Sequence, residues 1–192
     1  MIEKKKLIFK YSSMNSGKSL DLLTKNFMLK QKGFRTVLMK PSIDTRTLKI
    51  TSRLGIEEEC IILNDTDMPS QYVLITEKPK PDFILVDEAQ FLTSEQVWNL
   101  AELVDTWGIG VICYGLKLNW QGDFFDGSAE LMKIADELIQ SETYCRTNTG
   151  ASAMFHTKLS GNNETVEVGF EDRYDTVSRK VWREWYKNKN NS

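Results

Sequence analysis

One short stretch restricts this chain more than any other: Ser12-Ser13-Met14-Asn15-Ser16-Gly17-Lys18-Ser19. It follows an apolar run, Leu7-Ile8-Phe9, and leads into Leu20, Leu22, Leu23, Phe27 and Leu29, which recur at helical spacing. A strand, a tight loop ending in Gly-Lys-Ser and then a helix is the context in which a loop cradles phosphate. The first N–H groups of a helix lack intrahelical partners, and the helix dipole adds partial positive charge, so together they face an anion. Lys18 would reach the β- and γ-phosphates of a bound nucleotide, and the Ser19 hydroxyl would bind Mg²⁺. The full pattern has Gly five residues before Gly17, where this chain has Ser12. A short side chain fits there only if its φ stays negative. Gly-Lys-Ser alone is equally compatible with an ordinary helix start and a surface lysine. The strand before it and the helix after it favour the phosphate loop.

The rest of the chain alternates in the same way. Thr36-Val37-Leu38-Met39 reads as a second strand, Cys60-Ile61-Ile62-Leu63 as a short one, and residues 69–76 as a short helix. Phe83-Ile84-Leu85-Val86 and Val111-Ile112-Cys113-Tyr114 are continuous apolar runs, the signature of parallel strands buried on both faces. Between them, Thr93 and Gln96 resemble a capping box, followed by a helix with Val97, Leu100, Ala101 and Val104 on one face. Residues 126–140 read as one helix with Leu131, Ile134, Ala135 and Leu138 inward. The expected fold is α/β: a P-loop (RecA-like) parallel sheet flanked by helices. Near Ser141 the texture turns to Thr, Ser, Asn and Gly, with a turn at Gly161-Asn162-Asn163 and a last amphipathic helix marked by Val177, Val181, Trp182 and Trp185. A nucleotide-binding domain over 1–140 and a small domain over 141–192 are therefore expected.

The 192 residues allow one sizeable core and a small appendage. A net charge of −2 leaves no broad cationic field for a duplex nucleic acid or a membrane surface, whereas a small polyanion such as ATP needs only a local site. The charged start, Glu3-Lys4-Lys5-Lys6, is followed by only three apolar residues before Lys10, too few for a signal peptide or a membrane span. Cys60, Cys113 and Cys145, odd in number and widely spaced, read as reduced thiols of a cytoplasmic protein.

Ligands of such sheets lie beyond the carboxyl ends of the strands. The phosphate loop, Asp44-Thr45-Arg46 and Asp87-Glu88 all fall there. Asp87 would hold Mg²⁺ directly or through water, and Glu88 could take the proton from an attacking hydroxyl or water. Arg46 could pair bidentately with phosphate oxygens. Each also has a plain alternative, a solvated strand-end pair and a loop arginine in water.

These residues resemble the type II (cellular and bacterial) thymidine kinase family. Residues 14–19, Lys40-Pro41 with Asp44-Thr45-Arg46, Ser52-Arg53-Leu54-Gly55, and Asp87-Glu88-Ala89-Gln90-Phe91 match its motifs in order. Tyr114-Gly115-Leu116, Trp120-Gln121-Gly122, Phe125-Asp126-Gly127-Ser128, Gly150 with Ala153, and Tyr174 with Arg179-Lys180 continue the match over residues 7–186. The resemblance implies transfer of the ATP γ-phosphoryl group to the 5′-hydroxyl of thymidine or deoxyuridine, with Glu88 as general base. It implies that Ser12, Ser13, Met14, Asn15, Ser16, Gly17, Lys18, Ser19, Asp44, Thr45, Arg46, Asp87, Glu88, Ala89 and Gln90 hold phosphate and Mg²⁺. Met14 and Phe91 would wall the base pocket, and Tyr174 would lie beside the nucleoside. Thr165, Val166, Glu167, Val168 and Gly169 would form the lasso whose backbone grips the pyrimidine. Homo-oligomers, often tetramers, are implied as well.

The chain departs from the family pattern at several points. Trp120 stands where the family usually has a stacking Phe, and Asn119 replaces a common Asp. His156, the only histidine, falls where a Thr commonly packs near the thymine methyl, so it either shapes the pocket or is simply a half-buried polar residue. The family's structural zinc needs two pairs of Cys or His ligands. Here only Cys145 remains; the other positions fall among Thr147, Asn148 and Thr149 and on Ser178 and Val181. No zinc is therefore expected, with Phe155, Trp182 and Trp185 replacing the metal's contribution to folding. Two other readings stay open: a motor ATPase or helicase, which nucleic-acid-stimulated ATP hydrolysis would reveal, and a non-catalytic nucleotide-binding paralogue, against which Lys18, Ser19, Asp87 and Glu88 argue.

Overall fold

The structure is a computed structural model that describes residues 5–43, 48–76, 79–145, 147, 150–159 and 174–190. Its first element is β1 (Leu7–Ser12), which runs straight into the phosphate loop, and α1 (Lys18–Gln31) follows. The remaining strands of the main sheet are β2 (Thr36–Pro41), β5 (Ile61–Leu63), β6 (Phe83–Val86), β7 (Gly110–Leu116) and β8 (Glu137–Gln140). They lie side by side in the order β5-β2-β6-β7-β1-β8, and every pair is parallel. Only β7 separates the strand that launches the phosphate loop from the strand that leads into Asp87.

The apolar runs are buried because both sheet faces are covered. Alternate strand residues point to opposite faces. On one face Phe9, Met39, Ile84, Val86, Val111 and Cys113 pack with Val97, Leu100 and Val104 of α3 (Ser94–Asp105) and Leu131 of α4 (Asp126–Ile134). On the other, Leu38, Leu85, Ile112 and Tyr114 pack with Leu22, Leu23 and Leu29 of α1. Burial of each such side chain is worth about 1.5–3 kcal/mol. The capping box at α3 is present: Gln96 N–H donates to Thr93 Oγ1 (3.2 Å) and Thr93 N–H to Gln96 Oε1 (3.0 Å).

Two local expectations are corrected. The helix expected over 126–140 ends at Ile134; Leu131, Ile134 and Ala135 do face the core, but Leu138 is 42% exposed on strand β8. The outer edge of β1 would otherwise leave its backbone unpaired. Asp136 begins the pairing by donating its N–H to Leu7 O (2.9 Å) and accepting Leu7 N–H on its carboxylate (2.8 Å). Val177, expected in the last helix, instead ends a strand. The sequence also gave no warning of a hairpin, β3 (Lys49–Thr51) with β4 (Glu57–Glu59), which buries Ile50 against α1. Pro69 opens a short helix, α2 (Pro69–Gln71), that continues as a π turn, Tyr72–Thr76.

After Gln140 comes a separate cluster of buried residues, Cys145, Ala153 and Val177, with Phe155, Val181 and Trp182 against it. Here β9 (Phe155–Lys158) and β10 (Tyr174–Val177) pair antiparallel, and α5 (Arg179–Asn190) closes the fold. Trp182 stacks near Phe155 and Tyr186, both at 4.9 Å between ring centroids, and donates its indole N–H to Trp120 O (2.9 Å). It also lies over Gly122, where an added Cβ would come within 2.8 Å of its ring.

Candidate active site

Ser12 ends β1 in strand conformation, so its side chain fits where the full motif has glycine. The loop then turns through two left-handed residues, Asn15 (φ 62°) and Gly17 (φ 79°). Gly17 caps α1 without any side-chain hydrogen bond, so no side chain competes with an anion for the first helical N–H groups. Lys18 is folded back onto the loop, its ammonium donating to Ser13 O (2.9 Å).

The acidic turn comes to the same place. Asp87 is anchored by its N–H donating to Met39 O of β2 (2.9 Å), and its carboxylate Oδ2 accepts the Ser19 hydroxyl (2.9 Å). Its other oxygen, Oδ1, is buried without a hydrogen-bond partner among the described residues. Burial, then the neighbouring Glu88 charge, pushes the Asp87 carboxyl up to about 7, against the pull of the Ser19 hydroxyl, the Lys18 charge and the Glu88 backbone N–H. An orphaned, desolvated carboxylate oxygen beside a serine hydroxyl fits a hard divalent cation, and Ser19 and Asp87 are the residues that would hold Mg²⁺.

Glu88 occupies left-handed backbone (φ 50°), an unfavourable conformation for a side chain with a Cβ. It is held by its neighbours. Gln90 donates its amide to Glu88 Oε2, and Gln90 Oε1 accepts the Leu116 N–H (3.0 Å). Two glycines let the backbone close around this turn: a Cβ at Gly127 would meet Ala89 O at 2.5 Å, and one at Gly115 would meet Gln90 Oε1 at 2.9 Å. Ala89 and Gln90 are buried inside the turn.

Of the residues expected around the nucleoside, Phe91 meets Phe125 edge-on at 5.5 Å. Trp120 is buried and meets Trp185 edge-on at 6.1 Å, with the Lys189 ammonium 4.0 Å from its ring centroid. Lys158, itself buried, lies 5.5 Å from the Trp120 ring and 5.7 Å from that of Tyr174. His156 is buried, and its Nε2 accepts the Met14 N–H (2.9 Å). The Met14 carbonyl accepts the Thr176 hydroxyl (3.1 Å). Asp44, Thr45 and Arg46, and the expected lasso Thr165, Val166, Glu167, Val168 and Gly169, lie outside the described residues.

Sequence reasoning passed over three neighbours of the site: Phe125, Thr176 and Arg53, whose guanidinium donates to Asn15 Oδ1 from beyond β3. Phe125 and Arg53 both lie within the family motifs, whereas Thr176 carries no local signal.

The residues at the family's zinc positions do not fit the metal. Buried Cys145 lies 3.4 Å from the Thr147 hydroxyl and packs with Ala153 and Val177. Ser178 and Val181 bring no soft ligand. Among the described residues there is no group of three or more His, Cys, Asp or Glu suited to a metal ion.

A phosphate loop and an acidic turn meeting across the carboxyl ends of parallel strands define a nucleotide-binding α/β protein of the P-loop class. Comparison with known proteins narrows this. The sequence model of the family described as Thymidine kinase matches residues 5–182. A thymidine kinase of Photobacterium profundum is 38% identical over 185 residues, covering 93% of this chain and 96% of that one. One of Rhodopirellula baltica is 38% identical, covering 93% and 88%, and one of Enterobacteria phage T4 is 37% identical, covering 93% and 95%. The chain belongs to the thymidine kinase family and is a kinase.

Proposed function

We propose that this chain phosphorylates thymidine or deoxyuridine at the 5′-hydroxyl, with ATP as donor and Glu88 as general base. The Glu88 carboxylate takes the hydroxyl proton, the 5′-oxygen bonds to the γ-phosphorus, and the bond from that phosphorus to the bridging oxygen breaks, leaving ADP. The observation that carries this reading is the Ser19–Asp87 hydrogen bond beside an unpaired Asp87 oxygen, which brings loop and acidic turn into one site. N–H groups of the loop and the Lys18 ammonium offset charge on the triphosphate. Ser19 and Asp87 would hold Mg²⁺, which would supply further charge neutralisation on the phosphoryl oxygens. Asp44, Thr45 and Arg46 add phosphate contacts, and Met14, Phe91, Trp120, His156, Tyr174 and the lasso residues 165–169 form the nucleoside side.

In this reading residues 1–140 are the nucleotide domain and 141–192 the nucleoside domain, folded without zinc. The protein acts in the cytoplasm as a homo-oligomer, a tetramer by family resemblance, and takes no nucleic acid or membrane as partner. No helix among the described residues is long and apolar enough to cross a membrane. The test is phosphorylation of thymidine, deoxyuridine and deoxycytidine with ATP and Mg²⁺. Turnover of the first two supports the reading; turnover of none, in protein that binds ATP, overturns it. Stoichiometric zinc in the purified protein would overturn the zinc-free fold.

A further inference from the structure

The β9–β10 hairpin has two buried faces with different partners. Phe155 and Val177, directly opposite each other, join the small cluster around Cys145. His156 pairs with Thr176 and Lys158 with Tyr174, and these four, all buried, share the opposite face. On that face His156 and Thr176 meet the phosphate loop, at a sequence separation from Met14 of 142 and 162 residues.

We propose that His156 and Thr176 are positioning residues for phosphoryl transfer: as cross-strand partners they clasp the backbone N–H and C=O of Met14, and so tie the phosphate loop to the hairpin whose Tyr174 end receives the nucleoside. The inference rests on the reading of the nucleoside side given above.

Three observations bear on it. The Met14 N–H is committed to His156, so the triphosphate is cradled by the N–H groups after it. The next residue, Asn15, holds left-handed backbone, which asparagine adopts more readily than other residues with a Cβ. The clasp on Met14 fixes the chain immediately before that turn. Finally, His156 must accept rather than donate. Burial first, then the nearby Lys18 charge, drives its imidazole down to about 3, against a hydrogen bond to the Leu118 backbone, so the ring is neutral at any working pH. Its Nδ1 side faces Leu118 and its Nε2 side faces Met14.

That two-sided arrangement allows a discriminating experiment. A Gln carries its carbonyl oxygen about as far as Nε2, whereas an Asn reaches only as far as Nδ1. Steady-state kinetics on His156→Gln, His156→Asn and Thr176→Val should separate the roles. His156→Asn leaves the Met14 N–H without its acceptor, so it is expected to lower kcat about tenfold. His156→Gln should recover to within about twofold of the parent, and Thr176→Val should lose about threefold. Equal kcat in the Gln and Asn variants, or parental kcat in all three beside a lowered melting temperature, would overturn the clasp and leave a structural histidine. If His156→Asn does not fold, Thr176→Val decides: a loss in kcat supports the clasp and parental kcat overturns it. A parent protein that never phosphorylates thymidine would instead overturn the functional reading, and this inference with it.

Discussion

The two sides of the site are held by different kinds of force. At the strand ends, Lys18, Ser19 and Asp87 are placed by backbone: β1 and β6 are buried in apolar sheet, and these side chains project from where the pairing stops. Beyond Gln140 the apolar core is small, and side chains carry the placement: Trp182 over Gly122, Trp182 to the Trp120 carbonyl, His156 and Thr176 to Met14. A sheet tolerates loss of one side chain better than a cluster built around one indole does. Aromatic packing of Trp182 with Phe155 and Tyr186 surrounds this small core.

The largest effect is expected at the loop: Lys18→Ala should cut kcat about 10³-fold, equivalent to about 4 kcal/mol of transition-state stabilisation, while circular dichroism and melting temperature stay near the parent's. The small unit should show the converse. Trp182→Ala is expected to destabilise by about 3 kcal/mol, read by denaturant unfolding, because it empties the centre of the aromatic cluster.

The next effect is a pH dependence. Without divalent ions the folded protein holds the Asp87 proton up to about 7, whereas the unfolded chain releases it near 3.8. The native state therefore binds more protons across this window, so this contribution is fully present below the lower value and is lost as pH rises through the upper one. The stability of Asp87→Asn minus that of the parent should accordingly rise from pH 4 to pH 8 by a few kcal/mol at most. Mg²⁺ should raise the parent's melting temperature more at pH 8 than at pH 5, and that of the Asn variant little at either. The smallest effect is expected at Cys145→Ser, about 1 kcal/mol or less, since its thiol contributes packing and a weak contact to Thr147 rather than a metal bond. A loss as large as that of Trp182→Ala would restore the case for a metal.

The strands that carry the loop and the acidic turn were readable because continuous apolar runs record burial on both faces, as in Phe83-Ile84-Leu85-Val86. What the sequence could not show was placement decided far away. Glu137-Leu138-Ile139-Gln140 continues the spacing of the helix before it, yet the open edge of β1 claims it as a strand. The three-residue strands β3 and β4 are too short to show a period. His156 looked like a candidate pocket residue; its bond to Met14 depends on a contact between opposite ends of the chain.

In the proposed reaction Glu88, held in left-handed backbone beside Asp87, removes the proton from the attacking hydroxyl. Single-turnover phosphorylation of thymidine by Glu88→Gln, beside its measured affinity for ATP, tests this most directly. The account predicts a rate lower by at least about 10²-fold with ATP affinity nearly intact. An unchanged rate would contradict it.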